Sequence, residues 1–170
     1  VTAMAQCNSD GLPVHLVIAG DGPERNRLKA AIAASGVADA IRLEGFIPPN
    51  RLPDYYTAAD WFVIPTQDME GFGLVIPEAM ACGTPVLGTP VGAIPEVIGP
   101  FDSDLLFRDA GSTAMAEGIT WAIERHLSDP AAYGDLRQRC RAFAQNRFSW
   151  DRHVECLEGL LRDIQNRNHP

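Results

Sequence analysis

Trp61-Phe62-Val63-Ile64-Pro65 and Val86-Leu87-Gly88 are short apolar runs on either side of Glu70-Gly71-Phe72-Gly73-Leu74-Val75-Ile76-Pro77-Glu78-Ala79-Met80-Ala81-Cys82-Gly83-Thr84-Pro85. Apolar runs of this length bounded by Pro and Gly read as buried strands. The segment between them reads as a loop, then a helix. Pro77 suits a first helical turn, where its missing N–H costs little. Gly83 suits the residue just past a helix end. Strand, helix and strand in this order make a parallel βαβ unit.

Working outward, Val14 to Ala19, Ile41 to Leu43 and Leu105 to Phe107 read as further strands. Helical spacing covers Leu28 to Ser35, Leu52 to Ala59 and the short stretch Ala93 to Ile98. Three helical segments close the chain: Thr113 to His126, Pro130 to Asn146, and a last helix over residues 149–166 with Ser149 as its N-cap. That last helix carries Val154, Leu157, Leu160, Leu161 and Ile164 on one face. Gln165 to Pro170 reads as a frayed end. The expected fold is α/β: a Rossmann-like, doubly wound parallel sheet of about five to six strands with C-terminal helices. One domain over residues 1–170 is expected.

The loop between the two quoted runs carries the chemistry. Glu70 and Glu78 stand eight positions apart, with Gly71 and Gly73 in the turn between them. A glycine-rich turn leading into a helix offers unpaired N–H groups to a phosphate. Carboxylates accept hydrogen bonds from the vicinal hydroxyls of a sugar or a ribose. Together these features point to a nucleotide-sugar site. The small apolar neighbours Ala79, Met80 and Ala81 predict partly buried surroundings for Glu78. The ring of Phe72 reads as core. Gly92 and Glu96 follow the fourth strand, where ligands of open α/β sheets bind.

This pattern resembles family 4 of the glycosyltransferases, retaining enzymes with the GT-B fold. Glu70 to Glu78 matches the family's E-x7-E motif. Gly20-Asp21-Gly22-Pro23, Leu43-Glu44-Gly45-Phe46, Tyr55-Tyr56-Thr57-Ala58-Ala59-Asp60, Ile64-Pro65-Thr66, Gly83-Thr84-Pro85-Val86 and Val91-Gly92-Ala93-Ile94-Pro95-Glu96-Val97 extend the match in order. The resemblance implies one half of a GT-B fold, the donor-binding half. It implies that Glu70 is catalytic, meeting the donor sugar and charge that develops on its ring. It implies that Gly71, Phe72, Gly73 and Leu74 turn backbone amides toward the sugar and diphosphate. Glu78 would bind ribose hydroxyls, Phe46 and Ile47 would flank the base, and Gly92 and Glu96 would complete the donor site. No cofactor is implied, and no divalent metal either, on the reading that the sequence lacks a D-x-D pair.

The chain also departs from that family. Members carry an Arg and a Lys after a first strand, and these hold the diphosphate. No such strand or pair precedes Val14, and Arg25, Arg27 and Lys29 do not fit the motif. The chain is therefore expected to be incomplete at its N-terminus. The absent strand would be central in the order 3-2-1-4-5-6. The acceptor would bind a missing N-terminal half, and activity of the chain alone would be very low.

Composition sets the remaining bounds. A formal charge of −8, from 22 acidic and 14 basic side chains, argues against a nucleic-acid partner. No apolar run reaches the length of a membrane span. Cys7, Cys82, Cys140 and Cys156 show no metal-site spacing and read as reduced, cytoplasmic thiols. A peripheral membrane role through the missing half stays open. Two rival readings also stay open: a nucleotide-sugar epimerase of GT-B architecture, and a noncatalytic nucleotide-binding module.

Overall fold

A computed structural model describes residues 1–12 and 14–167, so the expected fraying beyond Arg167 lies outside the described residues. In chain order the elements are α1 (Thr2–Ser9), β1 (Leu16–Ala19), α2 (Arg25–Ala34), β2 (Ile41–Gly45), α3 (Leu52–Ala58), β3 (Phe62–Ile64), α4 (Val75–Ala81), β4 (Val86–Gly88), α5 (Ile94–Ile98), α6 (Ser112–Ser128), α7 (Pro130–Phe148) and α8 (Trp150–Arg167). Strands and helices alternate through the first hundred residues, and every strand pair is parallel, as expected of an α/β chain.

The strand count corrects the expectation. Among the described residues, four strands form two sheets, β1–β2 and β3–β4, rather than one sheet of five or six. The expected fifth strand shrinks to a single parallel bridge, Leu106 to Gly88, with the Phe107 N–H donating to the Gly88 carbonyl at 2.8 Å. Asp102 explains why. Its carboxylate accepts the Asp104 N–H at 3.1 Å and winds Ser103–Leu105 into a 3-10 turn, which uses up the strand's first residues. Among the described residues no strand pairing joins β1–β2 to β3–β4.

The main core lies around β3 and β4. Ile76, Met80, Val86, Leu87, Ile94 and Ile98 are almost completely excluded from solvent there. A smaller cluster of Met4, Ile32 and Ile41 sits under β1 and β2. Helix α1 belongs to both, because Ala3 and Cys7 enter the large core while Met4 enters the small one. Three residues at i, i+1 and i+4, within little more than one helical turn, thus pack α1 on both sheets' cores.

Helix α4 ends as Gly83 predicts. The Gly83 N–H donates to Met80 at 2.8 Å and the Thr84 N–H to Ala79 at 3.0 Å, closing a Schellman motif. Helix α7 packs on α4 and caps what remains. Arg137 donates to the carbonyls of Thr57 and Ala59 at the end of α3, both at 3.1 Å, and Arg141 donates to the Cys82 carbonyl at 3.3 Å. Cations at the negative ends of two helices satisfy orphan carbonyls and favour the helix dipoles. On α8, Ser149 Oγ accepts the Arg152 N–H at 3.3 Å, the expected cap.

Cys140, on the inner face of α7, has no solvent exposure. Burial pushes its thiol from 9.0 up to about 12. The folded state therefore holds this proton more tightly than the unfolded state. Its contribution to stability is complete below pH 9 and is lost as pH rises from 9 towards 12. Thermal unfolding followed from pH 8 to 11 should show a falling Tm with a shallower fall in Cys140→Ala. Cys7, Tyr56 and Tyr133 shift the same way and keep the slope from vanishing. Equal slopes in both proteins would remove Cys140 from this account.

Candidate functional site

The loops that follow β3 and β4 meet at the carboxyl ends of those strands, and they are bound to each other. Thr89, fully buried, donates its hydroxyl to the Thr66 carbonyl at 2.6 Å. The Ala93 N–H donates to the Glu70 carbonyl at 3.1 Å. Gly92, with φ +56°, lies so close that a Cβ built on it would stand 2.4 Å from that carbonyl oxygen and 3.0 Å from the Glu70 nitrogen. Only glycine allows both this dihedral and this approach. The backbone of Glu70 is thus seated by the second loop.

The Glu70 side chain is half-buried. Thr66 Oγ1 lies 3.5 Å from its Oε2, a long contact, and its stem lies across Gly73, which takes φ +76° to turn the chain into α4. Among the described residues, the amides of Phe72, Gly73, Leu74 and Val75 donate to no protein acceptor. They are the orphan donors of a helix start, gathered beside one carboxylate. Gly71 has open space around it. Phe72 is 44 % exposed and packs edge-on against Phe148 at 6.0 Å. Phe148, Phe143 and Phe101 continue this chain of rings across the end of α7. The expected core role of Phe72 is therefore met only on one side.

Glu78 differs from expectation. It is exposed, and the buried neighbours Ala79 and Met80 point the other way around the helix. It is not adrift, however. The Tyr56 hydroxyl donates to Glu78 Oε2 at 3.1 Å. Burial first, then the Glu78 charge, push that hydroxyl well above the usual tyrosine range, so it stays a donor. Sequence reading gave Tyr56 no role of its own. The signal was its place among Leu52 and Ala59 on one helical face, where a buried phenol must find a partner.

The adjacent Tyr55 donates to Glu44 on β2, which also pairs with Arg42 at 2.8 Å. Beyond Glu44 the chain leaves the sheet through Phe46, 73 % exposed, and Ile47, which is buried. The Arg25 guanidinium lies over Gly45, within 3.2 Å of where a Cβ would be, so a cation does reach the end of β2. Glu96 is exposed on α5; its N–H donates to the Ala93 carbonyl at 3.0 Å, and its carboxylate makes no hydrogen bond or ion pair among the described residues. The expectation that the chain lacks a D-x-D pair is corrected: Asp102-Ser103-Asp104 has that spacing, and Asp102 Oδ1 accepts the Asp104 N–H in the 3-10 turn described above. Among the described residues, no group of three or more His, Cys, Asp or Glu could hold a metal ion, and no helix is long and apolar enough to cross a membrane.

The arrangement is an α/β fold of the GT-B glycosyltransferase type, with a carboxylate and free amides at the carboxyl end of its sheet. The chain belongs to the group 1 glycosyl transferases, whose family model matches residues 1–147. It is 40 % identical over 154 residues to a D-inositol 3-phosphate glycosyltransferase of Acidothermus cellulolyticus, covering 87 % of this chain and 33 % of that protein. It is 36 % identical over 118 residues to a 2-deoxystreptamine N-acetyl-D-glucosaminyltransferase of Streptomyces fradiae, covering 68 % and 28 %. Among solved structures, a sucrose-phosphate synthase of Thermosynechococcus elongatus superposes with a TM-score of 0.78 at 30 % identity, over 98 % of this chain and 42 % of the other. Anabaena HepE in complex with UDP gives 0.78 at 24 % identity, over 95 % and 43 %, a likeness of fold. The chain thus spans about a third of the length of the curated relatives it matches.

Gly92→Ala should force the two loops apart, since the new methyl cannot share space with the Glu70 carbonyl. Urea unfolding should show a loss of about 2 kcal/mol. A loss below about 0.5 kcal/mol would mean that the loops are not clamped here.

Proposed function

We propose that this chain is the donor-binding part of a retaining glycosyltransferase. It would bind a sugar linked through a diphosphate to a nucleoside and support transfer of that sugar to an acceptor hydroxyl. The observation that carries this reading is the seat of Glu70, a carboxylate fixed by the neighbouring loop beside a row of unpaired amides. Anionic oxygens suit the amides, and sugar hydroxyls suit the carboxylate.

In the reaction, the bond from the anomeric carbon to the diphosphate breaks and a bond to the acceptor oxygen forms on the same face of the ring. The acceptor proton passes to an oxygen of the departing diphosphate. The amides of Phe72, Gly73 and Leu74 meet the growing negative charge. Glu70 faces the sugar, where positive charge builds on the ring. Glu78 takes the ribose hydroxyls, and the segment at Phe46 and Ile47 flanks the base, with Gly92 and Glu96 at the rim. Gly92 acts mainly through its hold on Glu70. This reading calls for no metal or other cofactor. Acceptor binding falls to sequence outside these residues. The four free thiols fit a cytoplasmic setting.

The test begins with the intact protein and a thermal-shift screen of UDP-, GDP- and ADP-sugars, of which at least one should raise Tm. No shift with any of them would end the reading. Glu78→Ala should then weaken binding of the selected nucleoside diphosphate about 10-fold or more, read by calorimetry. Glu70→Ala should reduce sugar transfer roughly 100-fold while changing nucleotide affinity far less. Equal losses in transfer and binding would count against a role on the sugar.

A further inference from the structure

Glu78 presents a difficulty for any ligand. It is exposed, and a long carboxylate side chain in water samples many rotamers, whose freedom is lost when a ligand fixes one of them. Tyr56 supplies the restraint. It is 6 % exposed, its ring meets Phe62 edge-on at 5.4 Å and 87°, and its own carbonyl is taken by the buried Thr84 hydroxyl. Ring and backbone are both immobilised, so the hydroxyl that donates to Glu78 Oε2 at 3.1 Å is a fixed point.

We propose that Tyr56 is a positioning residue for nucleotide binding, its hydroxyl holding the Glu78 carboxylate ready for the two hydroxyls of a ribose. The proposal rests on the reading of Glu78 given above. The phenol occupies one acceptor position of Oε2 and leaves Oε1 and the remaining lone pairs for the diol. The helix that carries Tyr56 also carries Tyr55, whose hydroxyl holds Glu44 on the strand that leads to Phe46 and Ile47. Successive side chains of one short helix therefore tie α4 to the end of β2. The separation between ribose and base contacts is set by protein, before any ligand arrives.

The experiment compares UDP, GDP and ADP with their 2′,3′-dideoxy forms by calorimetry on the intact protein, in the wild type, Tyr56→Phe and Glu78→Gln. Tyr56→Phe keeps the ring and removes only the donor. For the nucleotide that binds, the wild type should prefer the ribose form. Glu78→Gln should bring that preference close to one, and Tyr56→Phe should reduce it by about 3- to 10-fold. Tyr56→Phe in the Glu78→Gln background should add nothing. Preference is a ratio within one protein, so a loss of folded fraction cancels and the measurement survives a destabilised variant. An unchanged preference in Tyr56→Phe beside a collapsed one in Glu78→Gln overturns the role of Tyr56 and leaves the ribose site standing. A preference untouched by Glu78→Gln overturns the ribose site, and the role of Tyr56 with it.

Discussion

The contact between Gly92 and the backbone of Glu70 is the constraint on which the site depends. Short strands such as β3 and β4, three residues each, cannot by themselves aim a ten-residue loop. The loop is aimed instead by the peptide of the next crossing, through one hydrogen bond at Ala93 and a packing distance that excludes any side chain. The buried Thr89 adds a second tie to Thr66. Precision is thus placed in backbone and in small side chains, which have few rotamers to lose. The glutamate carboxylate, met only by the long Thr66 contact among the described residues, keeps most of its lone pairs for chemistry.

The acidic composition takes on a different meaning once its cations are located. Arg137 and Arg141 are directed inward to carbonyls at the ends of α3 and α4. Arg139 and Arg147 lie over the rings of Phe101, Phe143 and Phe148. These side chains hold helices and rings in place, the work of planar guanidinium groups that stack and fork. At the sheet's carboxyl end the charge work is left to backbone dipoles and to Arg25. A chain of net negative charge can receive an anion in this way, because a few amides aimed at one point count for more than the average charge of the surface.

The legible parts of the molecule were those governed by local rules. Alternating apolar runs placed β1 to β4, Gly83 marked the end of α4, and Pro130 and Ser149 marked the starts of α7 and α8. The family pattern located the loop of Glu70 and Glu78. What could not be read depends on contacts between distant segments. The fifth strand was lost to an Asp102 side chain that competes for the backbone. The surroundings of Glu78 were misjudged because Ala79 and Met80, next in sequence, lie around the helix from it. The close approach of Gly92 to the Glu70 carbonyl was hidden in the same way, because it joins two separate loops. Tyr56 was visible only as part of a motif, since nothing local says that its hydroxyl reaches a residue 22 positions on.

The division of the core carries one more consequence. Met4, Ile32 and Ile41 make a small cluster of their own under β1 and β2, joined to the rest through α1, through Val14, which packs on both clusters, and through the bond from Tyr55 to Glu44. The small cluster buries far fewer side chains than the main core, so local opening should begin on its side. Heating should melt residues 16–45 ahead of the β3–β4 core, and amide exchange should sort into two tiers along that line.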